Sequence, residues 1–306
     1  MRPNVSRMPA GRQSSTALVA VLLALVPIAG CGGEEEPSGA APTGAFDAER
    51  AFADLREQVE LGPRPAGSAA SVELTESLAS KLREAGVRDV TIQHPWRNVV
   101  GILPGSEPGY VVIGAHHDTK DGIEGFQGAN DGASGVAVVL ELARSLPKPL
   151  PGPSIAIALF DAEEARGERL FADDGKRGSR QYVALAESAA QGSPPLDEIR
   201  AMVLFDMVGD CDLEVPYEAA SARGLWEEFS DVDAETFSGE RPPIDDDHLS
   251  FLERGIPAVD LIDFTYGPGG SPGAYWHTDE DTLDKVCPES LDAIGEAAVE
   301  VVPTIG

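Results

Sequence analysis

Basic residues are scarce in this chain of 306 residues, which has 23 Lys and Arg against 52 Asp and Glu and a formal net charge of −29. Such an acidic surface repels a phosphate backbone, which excludes nucleic acid as a partner. Cysteine is rarer still: three residues are too few for a fold built on disulfides. With 42% hydrophobic residues, the chain is long enough to bury one sizeable core.

The N-terminal segment has no acidic residue before Glu34, and its only charged side chains are arginines. The apolar run Ala17–Ile28 is shorter than a bilayer span and suits the core of a signal peptide. It leads into Ile28-Ala29-Gly30-Cys31, which resembles a bacterial lipobox, whose cysteine is acylated and becomes the new N terminus. We therefore predict a lipoprotein signal peptide over residues 1–30 and an extracytoplasmic, membrane-anchored lipoprotein. An ordinary signal peptide cut nearby is the alternative.

Residues 31–45 are predicted to be the lipidated cysteine followed by a flexible acidic tether, because they are rich in Gly, Glu, Pro, Ser and Ala. The folded catalytic domain is then expected over residues 46–306. Cys211 and Cys287 remain. They can pair outside the cytoplasm or can be two buried small side chains, and the sequence leaves both possibilities open.

Two amphipathic helices are predicted at the start of the domain, the first capped by Asp47 and the second ending at Gly86. Apolar runs without a polar face then alternate with helical stretches; these runs are Val99–Leu103, Tyr110–Ala115, Ile155–Phe160, Ala201–Phe205 and Ala258–Ile262. Such runs are typical of strands covered on both sides. The pattern predicts an α/β fold: a single domain with a mostly parallel mixed central sheet covered by helices on both faces.

Three of these predicted strands lead directly into acids or histidines: His116-His117-Asp118, Asp161-Ala162-Glu163-Glu164 and Asp206. Because ligands bind beyond the carboxyl ends of strands in open α/β sheets, we expect these side chains to share one rim. Later segments add Asp131 and His277. Histidine nitrogens and carboxylate oxygens without thiolates suit catalytic zinc, and an unbound carboxylate beside the metal can move protons. One acid after one strand is usually a helix cap, so the combination carries the prediction.

Several motifs together resemble metallopeptidase family 28. The five segments similar to its signatures are Gly114–Thr119, Gly128–Gly135, Phe160–Glu164, Leu204–Gly209 and Trp276–Thr278. Leu61–Ser68 is similar to the motif that opens the domain in this family, and the resemblance covers residues 46–305 in the family's order. It implies an enzyme that acts on peptide or protein N termini with one or two Zn²⁺ ions.

The resemblance implies different roles in the two branches of the family. In its aminopeptidases, Asp131 would bridge two ions, with His116 and Asp206 on one ion. Glu164 and His277 would hold the other, and a nearby general base would take a proton from the attacking water.

In its glutaminyl-peptide cyclotransferases, one zinc would be held by Asp131, Glu164 and His277. The N-terminal amine attacks the glutamine side-chain amide of the same residue, and ammonia leaves. Glu163 is the expected base in both branches. In the cyclotransferase it would carry the proton from amine to ammonia, supported by Asp206 and Asp246.

Further positions are assigned roles around the proposed ligands. Asp118 is expected to reach the far nitrogen of His116 and fix its tautomer. Trp276 is expected to help form the substrate pocket. Two loops next to the proposed ligands, Ala165–Gly178 and Tyr266–Gly273, are expected at its rim. His94 and His117 are expected not to bind metal.

The choice between the branches depends on few positions. Trp276 directly before His277, and the segment Asp246–Leu252, favour the cyclotransferase. Against it, residues 165–169 lack the tryptophan that animal-type enzymes carry shortly after the paired glutamates, and Asp260 stands where those enzymes have a second histidine. We prefer the glutaminyl-peptide cyclotransferase and keep the zinc aminopeptidase as the alternative. A non-catalytic peptide-binding lipoprotein is the third hypothesis, since fold alone does not fix function.

Overall fold

The computed structural model describes residues 45–306. The predicted signal peptide, Cys31 and nearly all of the predicted tether lie outside the described residues. The α-helices of the described part are α1 Ala48–Glu60, α2 Ala69–Glu84, α3 Ser134–Ser145, α4 Phe171–Asp174, α5 Arg177–Ala186, α6 Arg223–Val232, α7 His248–Leu252 and α8 Pro288–Val301. Its strands are β1 Arg88–Ile92, β2 Val99–Leu103, β3 Gly105–His116, β4 Leu150–Phe160, β5 Ile199–Asp206, β6 Tyr217–Glu218, β7 Glu240–Arg241 and β8 Ala258–Ile262.

The central sheet has six strands in the order β1-β2-β4-β3-β5-β8. β4, β3, β5 and β8 run parallel, while β1 and β2 are antiparallel to their neighbours. The mostly parallel mixed sheet is therefore confirmed, and all five apolar runs are strands. β6 and β7 form a separate two-stranded parallel ribbon.

Helices cover both faces of the sheet because successive side chains of a strand point to opposite faces. Val111 and Ile113 of β3 pack in the larger core, to which α1, α2, α3, α6 and α8 contribute. Val112, between them, packs in a second core with residues of α5 and α7. With apolar neighbours on both sides, the inner strands need no polar face, and this is the pattern that their sequences have.

The predicted starts and ends of the first helices are confirmed. The side chain of Asp47 accepts a hydrogen bond from the backbone N–H of Arg50 at the start of α1. Gly86 follows α2 with a positive φ of 84°, a conformation that favours glycine. The edge strand β1 was not anticipated, because its side chains are exposed or half-buried and the segment lacks an apolar run.

A disulfide joins Cys211 to Cys287, the residue that caps α8. Backbone hydrogen bonds flank it, from Cys211 to Lys285 and from Cys287 to Gly209. The cross-link therefore fixes the loop that follows β5 against the start of the last helix. Among residues 45–306, no helix combines the length and the hydrophobicity needed to cross a membrane.

Candidate active site

The parallel strands bring the predicted side chains to one rim of the sheet. β3 ends at His116, β5 ends at Asp206, and β4 ends at Phe160, three residues before Glu163. In the register of the sheet, His116 pairs with Phe160, so these strand ends lie side by side. The convergence follows from topology, since adjacent parallel strands end at the same edge.

Two groups of potential metal ligands overlap at Asp131. One group is His116, Asp131 and Asp206, and the other is Asp131, Glu164 and His277; within each group the ligand atoms lie within 4.8 Å of one another. His116 Nε2 lies 3.2 Å from Asp131 Oδ1 and 3.2 Å from Asp206 Oδ1. His277 Nε2 lies 3.4 Å from Asp131 Oδ2 and 2.9 Å from Glu164 Oε1. The two oxygens of Asp131 thus face different groups, as a bridging carboxylate requires.

The residues of both groups fit a metal. Asp131 Oδ2 and Glu164 Oε2 are buried without a hydrogen-bond partner, a costly arrangement for carboxylates unless a cation neutralises them. The donors are histidine nitrogens and carboxylate oxygens, the set typical of catalytic zinc. The neighbouring charges at this site shift the pKa values of His277 and Glu164. Burial lowers the pKa of His277, but the interaction of its ring with the carboxylates of Asp131 and Glu164 outweighs this effect and raises the pKa to about 10. Burial and the charge of Asp131 raise the pKa of Glu164 to about 7.

Non-glycine residues with positive φ occur at and beside the candidate site. His277 has a positive φ of 53°, and so does Ala162, just before Glu163, at 57°. A non-glycine residue rarely adopts this conformation, and such residues cluster at functional sites. Gly132 has a φ of 93°, and a side chain there would lie 2.5 Å from the carbonyl oxygen of Asp118. Only glycine allows the chain after Asp131 to pass this close to β3.

Glu163 sits beside both groups without belonging to either. Its side chain is buried, with Oε2 3.9 Å from His116 Nδ1. Burial raises the pKa of Glu163 well above its usual range; the charge of His116 opposes the rise, and Glu164 and Asp247 add to it. A carboxyl group with a raised pKa next to a metal site is suited to accept and release a proton near neutral pH.

Asp118 holds the paired glutamates. Its carboxylate accepts hydrogen bonds from the backbone N–H of Glu163 at 3.0 Å and of Glu164 at 3.3 Å. The predicted bond to His116 is longer than a hydrogen bond, with 3.7 Å between Nδ1 and Oδ1. In this structure, therefore, Asp118 orients the glutamate loop and is an electrostatic neighbour of His116.

Asp246 is buried close to Asp260, and Asp206 and Glu163 lie in its electrostatic range. Burial raises the pKa of Asp246 well above its usual range, and the charges of Asp260, Asp206 and Glu163 add to this effect. Asp246 therefore interacts electrostatically with Glu163, the expected base. Sequence reasoning gave no role to the neighbouring Asp247, whose carboxylate accepts a hydrogen bond from Ser179 Oγ.

A cavity of about 620 Å³ opens over the two groups, and Glu163, Trp276 and His277 line it. The indole of Trp276 stacks on the imidazole of His277, with 3.9 Å between ring centroids and 17° between planes. Phe264 packs edge-on against the same indole at 5.0 Å. The half-buried Trp276 is thus the aromatic wall next to one candidate ligand.

The two predicted rim loops contribute unequally to this cavity. Several residues of Ala165–Gly178 line it, among them Arg169 and Phe171, whereas Tyr266–Gly273 contributes Ser271. The segment Arg241–Asp246 forms another wall that the sequence did not indicate. The sequence feature that could have revealed this wall is Pro242-Pro243, a rigid pair shortly before Asp246.

The histidines expected not to bind metal are outside both groups. His117 is fully buried, and its Nε2 lies 3.4 Å from the backbone oxygen of Arg97. His94 is exposed. Asp260 is fully buried and forms a third group of potential metal ligands with Asp246 and His248.

Histidines and carboxylates gathered at the rim of an open α/β sheet form a candidate metal centre. Residues 98–302 match Peptidase family M28, and the chain belongs to this family. A glutaminyl-peptide cyclotransferase from Bothrops jararaca is 30% identical over 238 residues, 65% of this chain and 62% of that relative, so the chain spans less than two thirds of the relative's length.

Solved structures of other proteins have a fold similar to that of this chain. A glutaminyl cyclase from an Acidobacteriales bacterium has a TM-score of 0.75 and 29% identity, with 89% of this chain and 98% of that one covered. A Zn-dependent exopeptidase from Parabacteroides distasonis has a TM-score of 0.72 and 27% identity, with coverage of 86% and 100%. The fold is thus similar to that of proteins from both branches.

Proposed function

We propose that the protein is a zinc-dependent glutaminyl-peptide cyclotransferase, which converts N-terminal glutamine to pyroglutamate and releases ammonia. The observation that carries this proposal is the stacked pair of Trp276 and His277, which lines the same cavity as Glu163. It provides a flat aromatic wall beside a candidate metal ligand and the proton carrier, where a glutamine side chain would have to lie. The cyclotransferase from Bothrops jararaca and the Acidobacteriales cyclase support the same choice by their similarity.

Asp131, Glu164 and His277 would hold the zinc of this reaction. When bound, zinc supplies a Lewis acid that polarises the amide carbonyl of the substrate's glutamine side chain. Glu163 accepts a proton from the attacking N-terminal amine as the new C–N bond forms. It then delivers that proton to the departing amide nitrogen, which leaves as ammonia without consumption of water. Burial of the carboxyl of Glu163, to which the charges of Glu164 and Asp247 add, favours this exchange by keeping its pKa high, and Asp246 lies in the electrostatic range of the same carboxyl.

A zinc aminopeptidase is the second candidate, supported by the complete second group. His116 Nε2 lies 3.2 Å from Asp206 Oδ1, and Asp131 faces both groups. Two bound ions would allow a water to be activated for hydrolysis of the first peptide bond. Here too Glu163 would take the proton.

Paired substrates distinguish the two functions. The full chain, purified in detergent, is incubated with a Gln-led peptide and with the same peptide led by Leu. The cyclotransferase releases ammonia from the first and leaves the second intact; the aminopeptidase releases free leucine. Zinc content per chain is measured on the same samples. Zinc binding without either product would favour the non-catalytic peptide-binding lipoprotein.

We also propose that the protein is a bacterial lipoprotein, held outside the cytoplasm through a lipid on Cys31. The support is the short apolar run that leads into the lipobox-like residues before Cys31. Cys31→Ser should leave the precursor unprocessed or release the protein from membranes, which fractionation and mass spectrometry of the N terminus measure. A mature wild-type chain that starts elsewhere would rule out the anchor.

A further inference from the structure

A buried carboxylate outside both metal groups contacts the loop that carries Asp131. Asp281 is fully buried, and its Oδ1 accepts a hydrogen bond from the backbone N–H of Asn130 at 2.8 Å. Its Oδ2 accepts a second bond from the backbone N–H of Asp131 itself at 3.1 Å. Both oxygens are therefore engaged with adjacent amides of one loop, an arrangement that fixes the direction of the Asp131 side chain.

Asp281 also receives a bond from the opposite side of the site. The hydroxyl of Tyr266 donates to Asp281 Oδ1 at 2.8 Å, and Tyr266 is fully buried. The backbone oxygen of Tyr266 in turn accepts from the N–H of Tyr275 at 3.2 Å, and the two rings pack edge to face at 5.3 Å. Tyr275 stands two residues before His277. One carboxylate thus connects the loop of Asp131 with the segment that presents His277.

A buried cation completes the support from a third direction. Arg64 is fully buried and donates through Nη1 to the oxygen of Gln127 at 2.6 Å and through Nη2 to the oxygen of Gly128 at 2.7 Å. The guanidinium also lies in the electrostatic range of Asp281. The Asp131 loop is therefore held by its carbonyls on one side and by its amides on the other.

We infer that Asp281 is a positioning residue for the metal centre, which aligns Asp131 with His277 so that both oxygens of Asp131 reach their separate groups. Neither alignment comes from secondary structure, because Asp131 and His277 lie in loops. Carboxylates that hydrogen-bond around a metal site commonly change metal affinity when they are replaced. This inference rests on the metal site of the proposed function and is independent of which reaction that site performs.

The test is the zinc affinity of Asp281→Asn, measured by competition with a chromogenic chelator on the full chain in detergent. An amide offers one oxygen and places N–H groups against a backbone N–H, so we expect affinity to fall about 10–100-fold. Asp279→Asn is the matched control, since that aspartate is exposed and two residues away. It should bind zinc like wild type.

Two further measurements separate positioning from plain structural support. If Asp281 only stabilised the fold, Asp281→Asn would lower the melting temperature equally with and without zinc and leave affinity unchanged, which would overturn the inference. Tyr266→Phe keeps both amide bonds and removes one donor, so it tests the link even if Asp281→Asn does not fold. We expect zinc affinity to weaken by about threefold, the scale of losing one net hydrogen bond. An unchanged affinity in Tyr266→Phe would overturn the link to His277. Failure of wild type to bind zinc would instead contradict the proposed function.

Discussion

Replacing Glu163 by Gln tests the mechanism most directly. The amide keeps the shape of the side chain but cannot take up the proton of the attacking amine or water. Among the described residues, the carboxylate of Glu163 makes no hydrogen bond that the amide would lose, and its ion-pair contact is with His116 Nδ1 at 3.9 Å. The substitution also removes a buried acid from the vicinity of Glu164. Folding and zinc binding should therefore remain near wild type.

The expected magnitude follows from the role of the group. Loss of a positioned general base lowers turnover by about 10²–10⁴-fold. At about 1.36 kcal/mol for each tenfold step, the transition state loses about 2.7–5.4 kcal/mol. We expect the full effect, because Glu163 is buried and 6% exposed, which leaves little room for water to substitute for it.

The assay measures turnover of Gln-led and Leu-led peptides together with zinc content. Glu164→Gln is the matched control. It removes the negative charge of the group that lies 2.9 Å from His277 Nε2, so it should weaken zinc binding itself. The mechanism requires that the two variants separate: full zinc with little turnover in Glu163→Gln, and reduced zinc in Glu164→Gln. Near-normal turnover in Glu163→Gln would refute the proton transfer and the division of roles between the two glutamates.

Three further predictions concern the pocket, the cross-link and acid stability. Trp276→Ala should raise KM for Gln-led peptides by about tenfold or more, because the aromatic wall on His277 is lost, while zinc content stays unchanged. Replacing Cys211 and Cys287 together by Ala should lower the free energy of unfolding by about 2–5 kcal/mol in denaturant titrations, and an unchanged value would show that the bond contributes nothing. Burial acts to raise the pKa of Glu218, but hydrogen bonding with His248 outweighs this effect and lowers the pKa to about 2. Because the pKa of Glu218 is depressed in the folded protein, the stabilisation of the fold by this carboxylate is complete above about pH 4.5. It is lost as the pH falls toward 2. Glu218→Gln should therefore unfold with a shallower pH dependence in that window.

The hydrophobic pattern of the sequence is enough to predict the inner strands of the sheet. Val99–Leu103 is an inner strand with the bounds that its apolar run indicates, and Ala201–Phe205 lies within the inner strand β5. Their side chains are apolar on both faces, and a chain with no polar face has to be covered on both sides. β1 shows the limit of this argument. It is a polar edge strand that is defined by pairing with β2, and pairing leaves no mark in the segment itself.

The sequence was sufficient to predict which residues form the candidate site, but it was less informative about the contacts between them. His116, Glu163 and Asp206 follow apolar strands, and parallel topology alone brings strand ends together. The partners of Asp118 were different from those expected, because the carboxylate meets the backbone N–H groups of the glutamate loop. The wall formed by Arg241–Asp246 begins in β7, which is placed by its pairing with β6. Such pairing is a property of the tertiary structure.

By itself, the sequence determined the fold class and the chemistry of the rim, because hydrophobic periodicity and the order of ligand-type side chains are local properties of the chain. It also determined that Glu163 and Glu164 stand next to each other. Tertiary structure alone decided that Cys211 pairs with Cys287 and that Asp281 contacts the loop of Asp131. These contacts join segments 76 and 150 residues apart in the chain, and only the packing of helices on the sheet brings such segments within bonding distance.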